Sequence, residues 1–137
     1  MAKDIYHNQV KNALIKEGWE ITHDPLIVQF GGVESKIDLG AEKLIGAQKN
    51  GQRIAIEIKT FISNSAIYDF HLALGQYLNY RLALDAQESE RILYLAIPHD
   101  IYDTFFLLPF TQAAIERHQL HLIVYHPQKE TIIKWQN

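Results

Sequence analysis

Three charged residues stand where the surrounding pattern leaves little room for charge. Glu57 and Lys59 lie inside RIAIEIKTF (53–61), where Ile54, Ile56 and Ile58 alternate with Ala55, Glu57 and Lys59 as the two faces of a strand. Asp38 lies between Ile37 and Leu39 in IDLGAEKLIGAQ (37–48). The two stretches are joined by Lys49-Asn50-Gly51-Gln52, and an Asn-Gly pair favours a hairpin turn because both positions accept φ > 0. The hairpin brings Asp38 towards Glu57. A carboxylate buried alone is costly, two side by side are costlier, and a divalent cation removes the penalty. Hard oxygen donors point to Mg²⁺, or Mn²⁺ in its place. Lys59 projects from the same face as Glu57, where it can orient a water or meet charge on a transferring phosphoryl group. The competing reading is an exposed Glu57–Lys59 pair on a solvent-facing strand, with Asp38 as its cross-strand partner. Glu42 is a further, weaker candidate acid, on the face of Asp38 if the strand runs regularly.

The remaining elements must hold this constellation. Tyr6, Val10, Ala13 and Leu14 recur at helical spacing over Asp4–Glu17, with Asp4 as a cap and Gly18 as the stop. WEITHDPLIVQF (19–30) reads as extended, with Pro25 imposing a kink or an edge before Gly31-Gly32 turns the chain. Ser63-Asn64-Ser65 offers caps for a helix over about 66–84 that is apolar on nearly every side and is expected to be heavily covered. The same helix carries the polar run Gln76-Tyr77-Leu78-Asn79-Tyr80. RILYLAIP (91–98) reads as a buried strand. A helical stretch over about 100–118 is interrupted at Pro109, and LHLIVYHPQKETIIKW (120–135) reads as two strands joined at 126–129. The order implies one domain, 1–137, with an α/β architecture around a mixed sheet.

With these residues in place, the order αβββαβ carrying Asp38 and then Glu57-Ile58-Lys59 resembles the PD-(D/E)xK nuclease superfamily, the restriction-endonuclease-like fold. Gln76-x-x-x-Tyr80 is similar to the Q-x-x-x-Y motif of its RecB-type members. The resemblance implies Asp38, Glu57 and the backbone carbonyl of Ile58 as metal ligands and Lys59 as the catalytic lysine. It also implies Gln76 and Tyr80 facing the site from the following helix. The superfamily often places a Glu on the first helix; here His7 holds that place, and imidazole carries no fixed negative charge. Over nearly the whole chain, GWEITHDPL, IDLGAEKLI, IEIKTF, DFHLALGQYLNYRLAL and LIVYHP resemble the XisH family, cyanobacterial proteins described as fdxN-element excision controlling factors. That likeness implies a part in a DNA rearrangement, beside a site-specific recombinase and a small companion of the XisI type.

Charge and composition bound these expectations. Thirteen Lys and Arg against sixteen Asp and Glu give a net charge of −3, which argues against a broad basic grip on nucleic acid. The average conceals a local excess, because residues 36–59 hold five bases and three acids. With no cysteine, disulfides and thiolate sites are excluded, and a reducing cytoplasmic setting is expected. No apolar run is long enough for a membrane span. His118, His121 and His126 have passable zinc spacing but read as surface histidines, and His71 reads as an interior histidine or one lining the cleft of Gln76. Phe105, Phe106 and Phe110 read as core or as a partner interface. The expected function is a metal-dependent DNA endonuclease that acts as an excision controlling factor. The alternative is a non-catalytic module of the same fold that binds DNA or the companion protein, and on fold analogy a homodimer is plausible.

Overall fold

The computed structural model describes residues 4–44 and 51–137. The expected first helix forms as α1 (His7–Lys16). Asp4 caps the turn that leads into it, its carboxylate accepting the Tyr6 N–H at 3.0 Å. Gly18 closes it at φ +92°, a conformation that a side chain would strain.

The extended stretch after it is two strands, β1 (Glu20–His23) and β2 (Leu26–Phe30), separated at Asp24-Pro25. Gly31 and Gly32, both at positive φ, turn the chain into β3 (Val33–Ile37), a strand that the alternation of VESKI marks only weakly. β2 and β3 form a separate two-stranded sheet. Asp38 therefore does not sit within a continuous strand. It occupies the bend between β3 and β4 (Leu39–Lys43), because its side chain, rather than its backbone, takes up the next ladder donor. β5 (Gln52–Ile58) pairs antiparallel to β4, Leu39 opposite Ile56 and Lys43 opposite Gln52. Most of the expected Asn-Gly turn, with the end of the 37–48 stretch, lies outside the described residues.

α2 (Ala66–Gln87) starts where Ser65 accepts the Tyr68 N–H at 3.3 Å. After it come β6 (Ile92–Pro98), the four-residue α3 (His99–Tyr102), a 3₁₀ turn over Phe105–Leu107, and α4 (Pro109–His118). Pro109 opens α4 rather than interrupting a helix, since the first helical turn needs no N–H there. β7 (Leu122–His126) and β8 (Thr131–Gln136) complete a six-stranded mixed sheet in the order β1-β4-β5-β6-β7-β8. β5, β6 and β7 run parallel and the remaining pairs antiparallel.

The alternation in β5 sorts its residues as expected. Ile54, Ile56 and Ile58 pack with Val10, Leu14 and Tyr125 on the α1 face. Ala55 packs with Phe70, Ala73, Tyr77 and Leu95 on the α2 face, and each fully buried apolar side chain of this kind contributes about 1.5–3 kcal/mol. Tyr77 ties α2 to the sheet, its hydroxyl donating to the Leu93 carbonyl (2.9 Å) and accepting the His121 N–H (3.1 Å). α2 is not covered all round. Phe70, Ala73, Tyr77, Ala83 and Leu84 are buried, while Tyr68, Leu72 and Leu82 are exposed, because the helix lies on the outside of the sheet and presents only one face to it.

Candidate functional site

The site lies at the end of β5, where β4 has already departed. Past the Leu39–Ile56 pair, the ladder on this edge is continued by side chains. The Ile58 N–H donates to Asp38 Oδ2 at 2.8 Å, and the Asp38 N–H donates to Glu57 Oε1 at 3.4 Å. In an extended strand a residue's N–H and C=O point to the same edge, so the Ile58 carbonyl is directed towards Asp38 as well. Lys59 Nζ stands 3.6 Å from Glu57 Oε2. Glu57 is 4% exposed, which removes the reading of Glu57–Lys59 as a solvent-facing pair.

Burial and the neighbouring Asp38 charge push the Glu57 carboxyl up to about 8. Burial also raises Asp38, against the opposing pull of the Ile58 N–H. Each carboxylate therefore disfavours ionisation of the other, as two like charges at close quarters must. Tyr80, on α2, is pushed up to about 12 by burial and then by the charges of Glu57 and Asp38. Gln76, one turn before Tyr80, has its side-chain carbonyl buried without a hydrogen-bond partner. The structure thus gathers Asp38, Glu57, Ile58 and Lys59, and sets Tyr80 within their field.

His7 is buried at 4% exposure, its Nε2 2.7 Å from Asp24 Oδ1, while its Nδ1 has no partner. Lys11 holds the other Asp24 oxygen at 2.9 Å. Burial alone would raise Asp24, but the Lys11 and His7 hydrogen bonds outweigh it and hold the carboxyl below its usual range.

These donors suit a hard divalent cation: two neighbouring carboxylates whose mutual repulsion a cation would relieve, with a backbone carbonyl beside them. Among the described residues, no three His, Asp or Glu side chains are gathered closely enough to hold a metal by themselves. The side-chain contribution is therefore a pair.

Other candidate residues are placed away from the site, some as expected and some not. Glu42 lies four residues further along, half-buried and held by Arg53 at 3.4 Å, so it does not join the site. His71 is exposed rather than interior, because it falls on the outer side of α2. His121 packs edge-on against Tyr94, and His126 stacks on His99 at 4.6 Å, so the zinc spacing is not assembled. Phe106 is core, Phe105 is half-buried against it, and Phe110 is 60% exposed. Among the described residues, the bases of 36–59 other than Lys59 are engaged away from the site. Lys36 lies by Glu34, Lys43 sits over the Trp19 ring, and Arg53 bridges Glu42 and Glu90.

Sequence reasoning missed Asp24, Asp4 and Asp69. Asp4 bonds the Thr60 hydroxyl, and Asp4 and Asp69 line a depression of about 240 Å³ beside Lys59. Asp69 was legible only as an acid in the first turn of α2, where the helix dipole favours one. Phe61, two residues past Lys59, adopts φ +61° and sets its ring edge-on against Phe106 at 5.4 Å. No pattern in the sequence marks that strain. No helix among the described residues is long and apolar enough to cross a membrane.

Comparison with known proteins extends over the whole fold. The sequence model described as XisH protein matches residues 1–133. The crystal structure of an XisH family protein from Nostoc punctiforme is similar at 44% identity and a TM-score of 0.90, covering 98% of this chain and 100% of that one. The crystal structure of an fdxN element excision controlling factor protein from Anabaena variabilis is similar at 45% identity and a TM-score of 0.88, with the same coverage. No curated protein matches.

Proposed function

The chain belongs to the XisH family, and from that premise we propose that it is a metal-dependent phosphodiesterase acting on DNA in programmed excision, built on the restriction-endonuclease-like PD-(D/E)xK fold. One observation carries the reading: Glu57, buried, and Asp38, half-buried, are locked together at the end of β5 with the Lys59 ammonium 3.6 Å from Glu57. A structural ion pair does not need a second carboxylate beside a buried one for one lysine. Asp38, Glu57 and the Ile58 carbonyl would hold Mg²⁺ or Mn²⁺. When bound, the ion supplies Lewis-acid stabilisation of the phosphoryl oxygens and lowers the pKa of water. Lys59 donates to the attacking water or to a phosphate oxygen from the same strand face. Gln76 offers its unpaired carbonyl to the same space, and Tyr80 bounds it. His7, fixed through Nε2 by Asp24, leaves Nδ1 as an acceptor where related folds place an acid.

The test is cleavage of plasmid, single-stranded and branched DNA with Mg²⁺ or Mn²⁺. Glu57→Ala and Lys59→Ala are each expected to lose about 10²–10³-fold in rate, the usual cost of removing one charge-stabilising group. Cleavage equal to wild type in both variants would remove the catalytic assignment.

A second reading has its own observation. Asp4 and Asp69 flank the mouth beside Lys59, and among the described residues no third His, Asp or Glu side chain joins the pair. That arrangement also suits a non-catalytic module that binds DNA or a small companion of the XisI type and so controls a site-specific recombinase. Isothermal titration separates the two: no heat with Mg²⁺ or Mn²⁺, alongside tight binding of the companion, selects the second.

A further inference from the structure

The outer side of α2 is patterned, and the pattern meets the proposed site at one residue, Leu72, which lines the depression beside Lys59. Tyr68, Leu72, Gly75, Asn79, Leu82 and Ala86 are all exposed and follow one another at intervals of four, three, four, three and four residues. That is heptad spacing, the repeat by which one helix presents a continuous seam to another. The seam is opposite the core face of Phe70, Ala73, Tyr77 and Leu84, so packing inside the chain does not account for it. It carries no charge, and a Cβ built at Gly75 would meet no atom within 4 Å, leaving room for close helix approach.

We propose that this seam is the interface of a homodimer in which two copies of α2 pack antiparallel. The spacing is symmetrical about the helix centre, and the sizes match only in that orientation. Tyr68 faces the partner's Ala86, Leu72 faces the partner's Leu82, and Gly75 faces the partner's Asn79. Every layer joins a large residue to a small one or a leucine to a leucine. One flanking border agrees: His71 falls beside the partner's Asp85, once from each copy, while the other border, with Asp69, Gln76 and Ala83, is largely covered by its own chain and pairs no like charges. A parallel pair stacks Tyr68 on itself and Gly75 on itself, opening a gap in the middle layer, and leaves Asp85 without an opposing histidine. A seam of two and a half heptads spans about 27 Å of helix. Its mixed apolar content suits a dimer that dissociates on dilution.

Sedimentation of the full chain from low micromolar to several hundred micromolar should show a reversible monomer–dimer equilibrium. Leu72→Asp, at an exposed position, should weaken it by at least about tenfold while circular dichroism stays unchanged. Orientation is read by cross-linking, since the chain has no cysteine of its own. An oxidised mixture of Tyr68→Cys and Ala86→Cys chains should give the mixed disulfide, and neither variant alone should cross-link efficiently. A monomeric mass across the whole range overturns the proposal, as does cross-linking of each variant with itself.

Discussion

Asp38 and Glu57 clasp each other through backbone N–H groups, against the repulsion of their like charges. Each carboxylate accepts an N–H from the other's strand, Ile58 to Asp38 at 2.8 Å and Asp38 to Glu57 at 3.4 Å. The clasp replaces the ladder where β4 leaves β5, so the same groups that end the sheet on this edge form the site. Stability and chemistry are therefore coupled here, and mutations that remove a carboxylate are expected to act on both.

The pH dependence follows with a definite sign. Glu57 is raised from 4.5 to about 8, so between those values the folded chain holds a proton that the unfolded chain has lost. Stability is present in full below the lower value and declines as pH rises through the upper one. Glu57→Gln, neutral at every pH, should match wild type near about pH 5 and exceed it by on the order of a few kcal/mol above about pH 8. Urea denaturation across that range checks this, and wild-type stability rising towards pH 8 would refute it. Millimolar Mg²⁺ should raise the alkaline Tm of wild type and leave Glu57→Gln nearly unmoved.

Asp24 gives the opposite slope. Its carboxyl is held low by Lys11 and His7 against the effect of burial. Its contribution is present above the ordinary aspartate value and is lost as pH falls through the lowered one. Asp24→Asn should cost about 1–3 kcal/mol at neutral pH, the range for losing a hydrogen bond to a charged group. It should also make acid unfolding less steep. A variant as stable as wild type would mean that His7 does not depend on this anchor.

Much of this arrangement was legible because it follows from period. The alternation of Ile54, Ile56 and Ile58 against Ala55 and Glu57 fixed which face of β5 meets which helix, and the caps at Ser65 and Gly18 bounded two helices. The bend at Asp38 was not legible. Ile37-Asp38-Leu39 reads as one alternating strand, and only the demand of the Ile58 N–H for a partner breaks it. Charge was misread for a related reason. Net charge along a window says nothing of cross-strand partners, and Arg53 is taken by Glu42 and Glu90 while Asp69 arrives from α2 at the mouth of the site.

Phe61 reverses the usual order of truncation. At φ +61° a side chain strains the backbone by about 1–2 kcal/mol, a cost that glycine lacks. Phe61→Gly and Phe61→Ala both lose the contact with Phe106, but only alanine keeps the strain. The glycine variant should be the more stable of the two by about 1 kcal/mol. Equal stabilities, or alanine ahead, would show that the left-handed turn relaxes once the ring is gone.

Affinity for DNA is where the acidic balance makes itself felt. The depression beside Lys59 is bordered by Asp4 and Asp69, and the lysines and arginine nearest in sequence are engaged elsewhere. Among the described residues, a phosphate backbone entering the site meets the Lys59 ammonium and the Asp4 and Asp69 carboxylates in addition to the Asp38–Glu57 pair. Binding by the isolated chain should therefore be weak without a divalent cation and should fall steeply with salt. Asp69→Asn keeps an oxygen acceptor for the Ser63 N–H, which Asp69 Oδ2 now takes at 3.1 Å, and removes one charge from the mouth. It should tighten binding of a short duplex several-fold at low salt, and the gain should shrink as salt screens the field. Fluorescence anisotropy over a salt series measures both effects. Tight, salt-insensitive binding by wild type, or no change in Asp69→Asn at low salt, would show that DNA approaches along another face.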